Sequence, residues 1–361
     1  MQQYRVGIIG ATGMVGQRFS LLLKDHPWFK VTCLAASSRS AGLTYREAVG
    51  KRWAFAGTPI PENVADLVVQ DAADVEAIAA QVDFVFCAVD MKKDEILALE
   101  ERYARAEVPV ISNNSANRMV SDVPMMIPEI NGAHATVIEA QRKRLGTKRG
   151  FIAVKPNCSI QSYVPALWPL LEFEPKRMIA CTYQAISGAG KTFASWPEMV
   201  DNVIPYIGGE DEKSEREPLK IFGHVENGQI VNSQGLDISA QCLRVACADG
   251  HMAAVSVKFG KKPTVEQILE RWAHCHPATE GMGLPSSPET FLYYFDDPSR
   301  PQTRLDRDFE RGMGITIGRL REDKVFDYKF VCLSHNTVRG AAGGGVLSAE
   351  YLCKLGYIKA K

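Results

Sequence analysis

Three short segments carry side chains able to do covalent or proton chemistry. FIAVKPNCSIQSY (151–163) is an apolar run that stops at Pro156 and Asn157 and then presents a thiol, Cys158. RVACADGH brings Arg244 and His251 onto one segment, and EREPLK sets Glu217 and Lys220 three apart, on one helix face. An imidazole can take a proton from an attacking thiol or water. A guanidinium can hold a carboxylate by two hydrogen bonds, and a lysine can hold a phosphate. Each residue also has a plainer reading. A cysteine at a strand end packs into a core or binds metal, a histidine after Asp-Gly completes a turn, and a Glu–Lys pair at the surface contributes little. If Cys158 opens a helix, orphan N–H groups and the positive helix end lower its pKa. Pro165 and Pro169 would keep that helix short or kinked.

A second group of residues suits a dinucleotide. GIIGATGMVG places glycines at 7, 10, 13 and 16, after a strand and at the start of a helix. There, backbone N–H groups can approach a pyrophosphate. Gly10, Thr12, Gly13, Met14 and Val15 are the candidate contacts. The plain alternative is a tight turn without ligand. The next strand ends in AASSRSAG, with Ser37, Ser38 and Arg39 and no acid. Hydroxyls and a guanidinium suit a 2′-phosphate, so NADP(H) is predicted over NAD. AISGAGKT (185–192) resembles a phosphate loop and supports a rival reading, a P-loop nucleotide hydrolase. Trp196 and Pro197 follow too soon for the required helix. HCH at 274–276 lacks further ligands, and no metal is expected.

The elements that must hold these residues fall into two patterns. YRVGIIG (4–10), VTCLAAS (31–37), DFVFCAVD (83–90) and VPVISNN (108–114) read as buried strands. MVGQRFSLLLKDHP and DEILALEERYARA read as the helices between them. This is the rhythm of a Rossmann-type parallel sheet in an α/β domain. Beyond Cys158, RMIACTYQAIS (177–187), CLRVACADGHMAAVSVKF (242–259), GITIGRL (314–320) and VFDYKFVCLS (325–334) read as longer, half-alternating strands. They predict an α+β domain with a mostly antiparallel sheet. The predicted division is 1–157 for the cofactor domain, completed by a C-terminal helix in 336–361, and 158–335 for a catalytic and dimerisation domain.

The bulk composition excludes several function classes. The 361 residues allow two domains. Lys plus Arg and Asp plus Glu are 42 each, which argues against nucleic acid or an acidic membrane as partner. No apolar run reaches the length of a membrane span. The start shows no secretory signal pattern. The nine cysteines are scattered and odd in number, as expected of reduced thiols in the cytoplasm.

GATGMVGQRF, SNNSANRM with VPMMIPEIN, PNCS, QAISGAG, DNVIPYIGGEDEK…EPLK, RV…DGH, RPQTRLDRD…GMGITIGR and LSHNTVRGAAGG together resemble the aspartate-semialdehyde dehydrogenase family, particularly its archaeal and fungal branch. The resemblance implies a reversible conversion of aspartate 4-semialdehyde, phosphate and NADP⁺ into 4-aspartyl phosphate and NADPH, in the biosynthesis of lysine, threonine, methionine and isoleucine. It implies that Cys158 is the nucleophile of a thioacyl intermediate, that Gln184 orients it and that His251 is the acid–base. It places Arg244 on the substrate carboxylate, Glu217 on the amino end, and Arg118 and Lys220 on phosphate, with Asn157 in the same binding group. Ser187 and Gly188 would lie along the cofactor and Asn336 near the nicotinamide. A homodimer or homotetramer is implied. The same branch includes malonyl-CoA reductase; EPLK and Arg118 favour phosphate chemistry. A cofactor-binding sensor without turnover would not need the set Cys158, His251, Arg244 and Lys220.

Overall fold

The computed structural model describes residues 3–361. Six parallel strands form the first sheet: β1 (Tyr4–Ile9), β2 (Phe29–Ala36), β3 (Gln70–Asp71), β4 (Phe84–Cys87), β5 (Val110–Ser112) and β6 (Ile152–Val154). Their order is β3-β2-β1-β4-β5-β6. Runs such as Ile8–Ile9 and Phe84–Phe86 are buried throughout, as strands covered on both faces require. The order reverses at β1, which has β2 on one side and β4 on the other. A crevice must open where the connections depart in opposite directions. Gly10 turns the chain there with φ +88°, and a Cβ would stand 2.3 Å from the Ala88 carbonyl oxygen. Only glycine fits.

The remaining strands are β7 (Pro175–Gln184), β8 (Val203–Ile204), β9 (His224–Glu226), β10 (Gln229–Val231), β11 (Asp237–Val245), β12 (His251–Phe259), β13 (Leu292–Phe295), β14 (Ile315–Glu322) and β15 (Tyr328–Ser334). Strands β9 and β10 form a separate hairpin; the other seven make a mixed sheet in the order β13-β14-β15-β12-β7-β11-β8. Pairings β7–β11 and β13–β14 are parallel, and the rest are antiparallel. The segment 242–259, expected as one strand pattern, is two. Residues 246–250 carry the chain across the end of β7, with Gly250 at φ +97°, so β11 and β12 flank β7 rather than each other.

The helix Gly343–Lys354 returns to the first sheet, buried from Gly343 to Cys353. Val346 and Leu347 join Phe19, Phe86 and Ile111 in one apolar cluster. A helix buried all round needs its polar groups satisfied. Glu350, fully buried, accepts from His26 Nε2 (2.8 Å), Ser286 N (3.0 Å) and Ser286 Oγ (2.6 Å). His26 Nδ1 in turn accepts from Phe29 N (3.1 Å), which anchors the start of β2. Glu350→Ala strands one buried donor on His26 and two half-buried ones on Ser286, and is expected to cost about 2–4 kcal/mol of unfolding free energy. Urea denaturation against wild type checks this.

Candidate active site

A cavity of about 710 Å³ lies over the crevice at β1. Gly10, Thr12 and Gly13 line it from the turn, Ser37, Ser38 and Arg39 from the end of β2, and Val89 and Asp90 from beyond β4. These sequence-predicted residues therefore converge. Met14 and Val15 do not line this cavity. They begin the helix Met14–Leu22, and only their backbone N–H groups belong to its free first turn. Arg52 lines the cavity too and has no counterpart in the sequence reading. It is held by Gln17, whose Nε2 donates to Thr12 O (2.9 Å) and Arg52 O (3.1 Å) and whose Oε1 accepts from Ala54 N (2.8 Å). Asp71, at the end of β3, is the acid nearest in kind to a ribose ligand; its Oδ1 is engaged by Ala73 N at 2.9 Å.

The second sheet gathers the other functional groups by register. Arg244 on β11 pairs with Gln184 on β7, and Met252 pairs with Tyr183, so Gln184, Arg244 and His251 stand side by side at one sheet end. Ala185, the next residue, binds both neighbours. Its carbonyl accepts from Arg244 Nη1 (2.7 Å) and its N–H donates to His251 Nδ1 (3.1 Å). The one proton of neutral His251 therefore sits on Nε2, which is buried and has no protein partner. Burial and then the Arg244 charge push the imidazole pKa down to about 3, against the opposing pull of Glu210 and the Gly250 carbonyl. In this arrangement the ring presents Nε2–H as a donor, the acid form of the acid–base role expected of His251, while Nδ1 is engaged by the Ala185 N–H. Asn336 ties the loops together, accepting from Gly250 N (2.8 Å) and donating to Ser187 Oγ (2.8 Å).

Cys158 follows β6 through Lys155-Pro156-Asn157. No α-helix begins at the thiol, which instead caps a 3₁₀ turn. A three-residue 3₁₀ turn (Ser159–Gln161) comes next, then a single α-turn (Val164–Leu167) containing Pro165. The expected α-helix is replaced by these short turns, and burial pushes the half-buried thiol up. The Glu210 charge adds to the rise, while Lys155, Arg118 and Arg244 oppose it. Asn157 shapes the turn. Its Oδ1 accepts from Ser159 N (2.7 Å) and Oγ (2.6 Å), and its Nδ2 donates to both Glu210 oxygens (3.0 and 2.9 Å). Glu210 also accepts from Gln184 Nε2 (3.3 Å) and Lys213 Nζ (2.8 Å).

Glu217 and Lys220 lie on the helix Glu210–Ile221, both buried. Pro218 interrupts its hydrogen bonds, and the Ser214 carbonyl so released accepts from Tyr163 Oη at 2.9 Å. Glu217 does not face an open subsite. One oxygen accepts from Arg118 Nη1 (2.9 Å) and the other from Asn157 N (2.6 Å). Lys220 likewise offers no open donor, because Nζ donates to the carbonyls of Arg118, Val120 and Val123 at 2.6, 2.7 and 2.9 Å. Burial pushes its pKa down to about 7, against the opposing charges of Asp122 and Glu217. The expected placements of Glu217 on an amino group and Lys220 on phosphate are not met in this conformation. The loop 113–118 presents Arg118, and buried Glu100 fixes it by accepting from Asn114 Nδ2 (2.9 Å) and Asn117 Nδ2 (2.7 Å).

Sequence reasoning missed Glu210 and Lys155. Glu210 was indistinguishable among the acids of GGEDEK. The signal for Lys155 was a lone charge within the apolar run FIAVKP. The AISGAGKT segment is a short 3₁₀ turn (Ile186–Ala189) ending at left-handed Gly190, with Lys191 exposed and no helix following. His276 is an exposed partner of Glu280. Gly188 instead leans on the site: a Cβ there would stand 2.8 Å from Arg244 Nη1 and 3.0 Å from His251 Nε2. Gly188→Ala is expected to lower kcat/KM by about 10²-fold or more with little change in melting temperature. Steady-state kinetics with a thermal scan checks it.

Two family models match the chain: the NAD binding domain of semialdehyde dehydrogenase over residues 5–138 and the semialdehyde dehydrogenase dimerisation domain over 167–339. An aspartate-semialdehyde dehydrogenase of Archaeoglobus fulgidus is 42% identical over 354 residues, covering 98% of each chain. One from Schizosaccharomyces pombe is 42% identical over 359 residues, also covering 98% of each. The crystal structure of the Candida albicans enzyme with NADP superposes with a TM-score of 0.89 at 38% identity, covering 99% of this chain and 100% of that one. Aspartate semialdehyde dehydrogenase II of Vibrio cholerae complexed with ASA gives 0.73 at 25% identity, covering 98% and 99%. With relatives this similar over nearly its whole length, the chain belongs to the aspartate-semialdehyde dehydrogenase family.

Proposed function

We propose that the protein interconverts L-aspartate 4-semialdehyde, phosphate and NADP⁺ with L-4-aspartyl phosphate and NADPH, through a thioester on Cys158. The carrying observation is the row of Gln184, Arg244 and His251 at one sheet end, with Cys158 among the charges of Glu210 and Arg244. The crevice residues fit NADP(H): a glycine turn for the pyrophosphate, and Ser37, Ser38 and Arg39 for the 2′-phosphate. When bound, NADP⁺ supplies the hydride acceptor.

The chain's own residues divide the work as follows. Arg244, with one N–H on the Ala185 carbonyl, holds the substrate carboxylate with its remaining donors. Glu210 takes the amino group, because it lies beside the thiol while Glu217 is committed on both oxygens. The Cys158 sulfur adds to the aldehyde carbon, and the resulting alkoxide accepts from His251 Nε2–H. Loss of hydride from that carbon leaves the thioester, positioned by Gln184. Phosphate then attacks the carbonyl and the thiolate departs. Arg118 uses three of its five N–H donors on Glu217, Lys155 O and Asn113 O, and so retains two for the phosphate.

The second sheet leaves an apolar face open: Ile179, Tyr183, Val203 and Tyr206 are exposed. We infer that a second copy covers it in a homodimer. The chain would then divide into a cofactor unit of 1–157 with 336–361 and a catalytic and dimerisation unit of 158–335. The free cysteines suit a reducing compartment such as the cytoplasm.

Cys158→Ala is expected to abolish turnover while fluorescence still reports NADPH binding. The substrates tested are aspartate semialdehyde with phosphate, against malonyl-CoA, each with NADP(H) and NAD(H). Preference for malonyl-CoA would overturn the substrate assignment. Arg39→Ala is expected to weaken NADP binding by roughly 10- to 100-fold and NAD binding by less than about threefold. Equal losses would refute the 2′-phosphate role.

A further inference from the structure

The helix Lys93–Arg105 buries Ile96, Leu99, Glu100, Tyr103 and Ala104, the spacing of a single stripe turned toward the core. Glu100 is the odd member of that stripe: it carries a carboxyl group and is fully buried. The arginines of its own helix pair elsewhere, Arg102 with Glu76 and Arg105 with Glu101. Among the described residues no cation forms an ion pair with Glu100. A buried carboxylate without a cation needs donors around it. It has three. Ser112 Oγ and Asn114 Nδ2 (2.9 Å) donate to Oε1, and Asn117 Nδ2 (2.7 Å) donates to Oε2.

All three donors lie in one stretch, which leads from the end of β5 to Arg118. Beyond Ser112 this stretch has no helix or strand of its own. Its start is tied to β4 and β5: Asn113 N donates to Cys87 O (2.8 Å) and Asn114 N to Ser112 Oγ (3.0 Å). Two anchors of Arg118 belong to the same stretch. Its Nη2 donates to Asn113 O (3.0 Å) and its backbone N to Ser115 O (3.3 Å). Glu100 and Arg118 share no hydrogen bond, so the acid bears on the guanidinium only through the loop it holds. Charge-assisted bonds make that hold stiffer than neutral side chains would.

We propose that Glu100 is a positioning residue for the phosphate step, acting through Asn114 and Asn117 on the direction of the Arg118 donors. This rests on Arg118 being the phosphate cation. In that step a phosphate oxygen bonds to the thioester carbonyl carbon, the C–S bond breaks, and its electron pair leaves on sulfur. The two donors that Arg118 retains must meet the incoming phosphate, and a misplacement of about 1 Å costs such a step about 10²-fold. The earlier aldehyde steps use Cys158, Arg244 and His251. Arg244 and His251 are tied to Ala185, away from the stretch that Glu100 holds.

That order of steps supplies the test. Enzyme mixed with aspartate semialdehyde and NADP⁺ in the absence of phosphate forms one NADPH per thioester, and the absorbance burst reports thiol addition and hydride transfer alone. Glu100→Gln keeps the size, removes the charge and turns one acceptor into a donor facing other donors. It is expected to leave the burst rate and kcat/KM for aspartate semialdehyde within about threefold of wild type, and to lower kcat/KM for phosphate about tenfold or more. Asn117→Ala removes the contact next to Arg118 without entering the core. It is expected to shift the same constant in the same direction, and it stands as the test if Glu100→Gln does not fold. Unchanged kcat/KM for phosphate in the folded variants overturns the proposal. So does an equal loss in the burst and in both constants, the outcome of a merely structural role. Failure of the Arg118 reading is separate: Arg118→Lys, which keeps the charge and loses the fork, would then leave kcat/KM for phosphate unchanged.

Discussion

The site depends on the buried ion pair between Arg118 and Glu217. Both groups lie out of water, 2.9 Å apart, and neither has an alternative compensation of equal strength. Arg118 belongs to the loop that leaves the parallel sheet. Glu217 belongs to a helix lying against the mixed sheet, and its other oxygen receives the N–H of Asn157 beside the thiol. One carboxylate thus fixes three segments that are far apart in the chain. Separating them would leave a charge in a low-dielectric interior, which gives the arrangement its precision.

Low dielectric also sets the character of the groups. It pushes the thiol up, holds His251 neutral and draws Lys155 and Lys220 toward neutrality. A site of this kind resists carrying charge unless counter-ions enter with what binds there. In the proposed reaction the substrate's carboxylate would meet Arg244 and its amino group Glu210, and binding would then change the electrostatics in which the sulfur reacts. The α-helix expected after Cys158 is replaced by a short 3₁₀ turn, forced in part by the early Pro165.

Much of the plan was legible in the chain. Apolar runs separated by helical spacing revealed the parallel sheet, and a glycine turn with Ser37, Ser38 and Arg39 marked the cofactor crevice. PNCS and DGH located the thiol and the imidazole. What remained hidden was relational. That β11 and β12 flank β7, so that Arg244 and His251 bracket Gln184, follows from strand order, which local pattern does not encode. The proton position on His251 depends on the Ala185 N–H, and the occupied state of Lys220 on three carbonyls contributed by another segment. Glu210 could be told from its acidic neighbours only by which way its helix turned. Lys155 was visible as an oddity, a charge in an apolar strand, without any sign of what it faced.

Pro218 has a consequence for how this sequence can change. Its missing amide leaves the Ser214 carbonyl to the Tyr163 hydroxyl, and so two distant positions share one donor requirement. Replacing Tyr163 by phenylalanine while the proline remains orphans a buried acceptor. Replacing the proline first restores a helical donor and releases the tyrosine from its duty. The order of substitution therefore matters. A lineage that exchanges the proline can afterwards drift at 163, whereas the reverse route passes through a weakened helix beneath the active site. The two residues form an epistatic pair that single-site scanning would misread as one essential tyrosine and one dispensable proline.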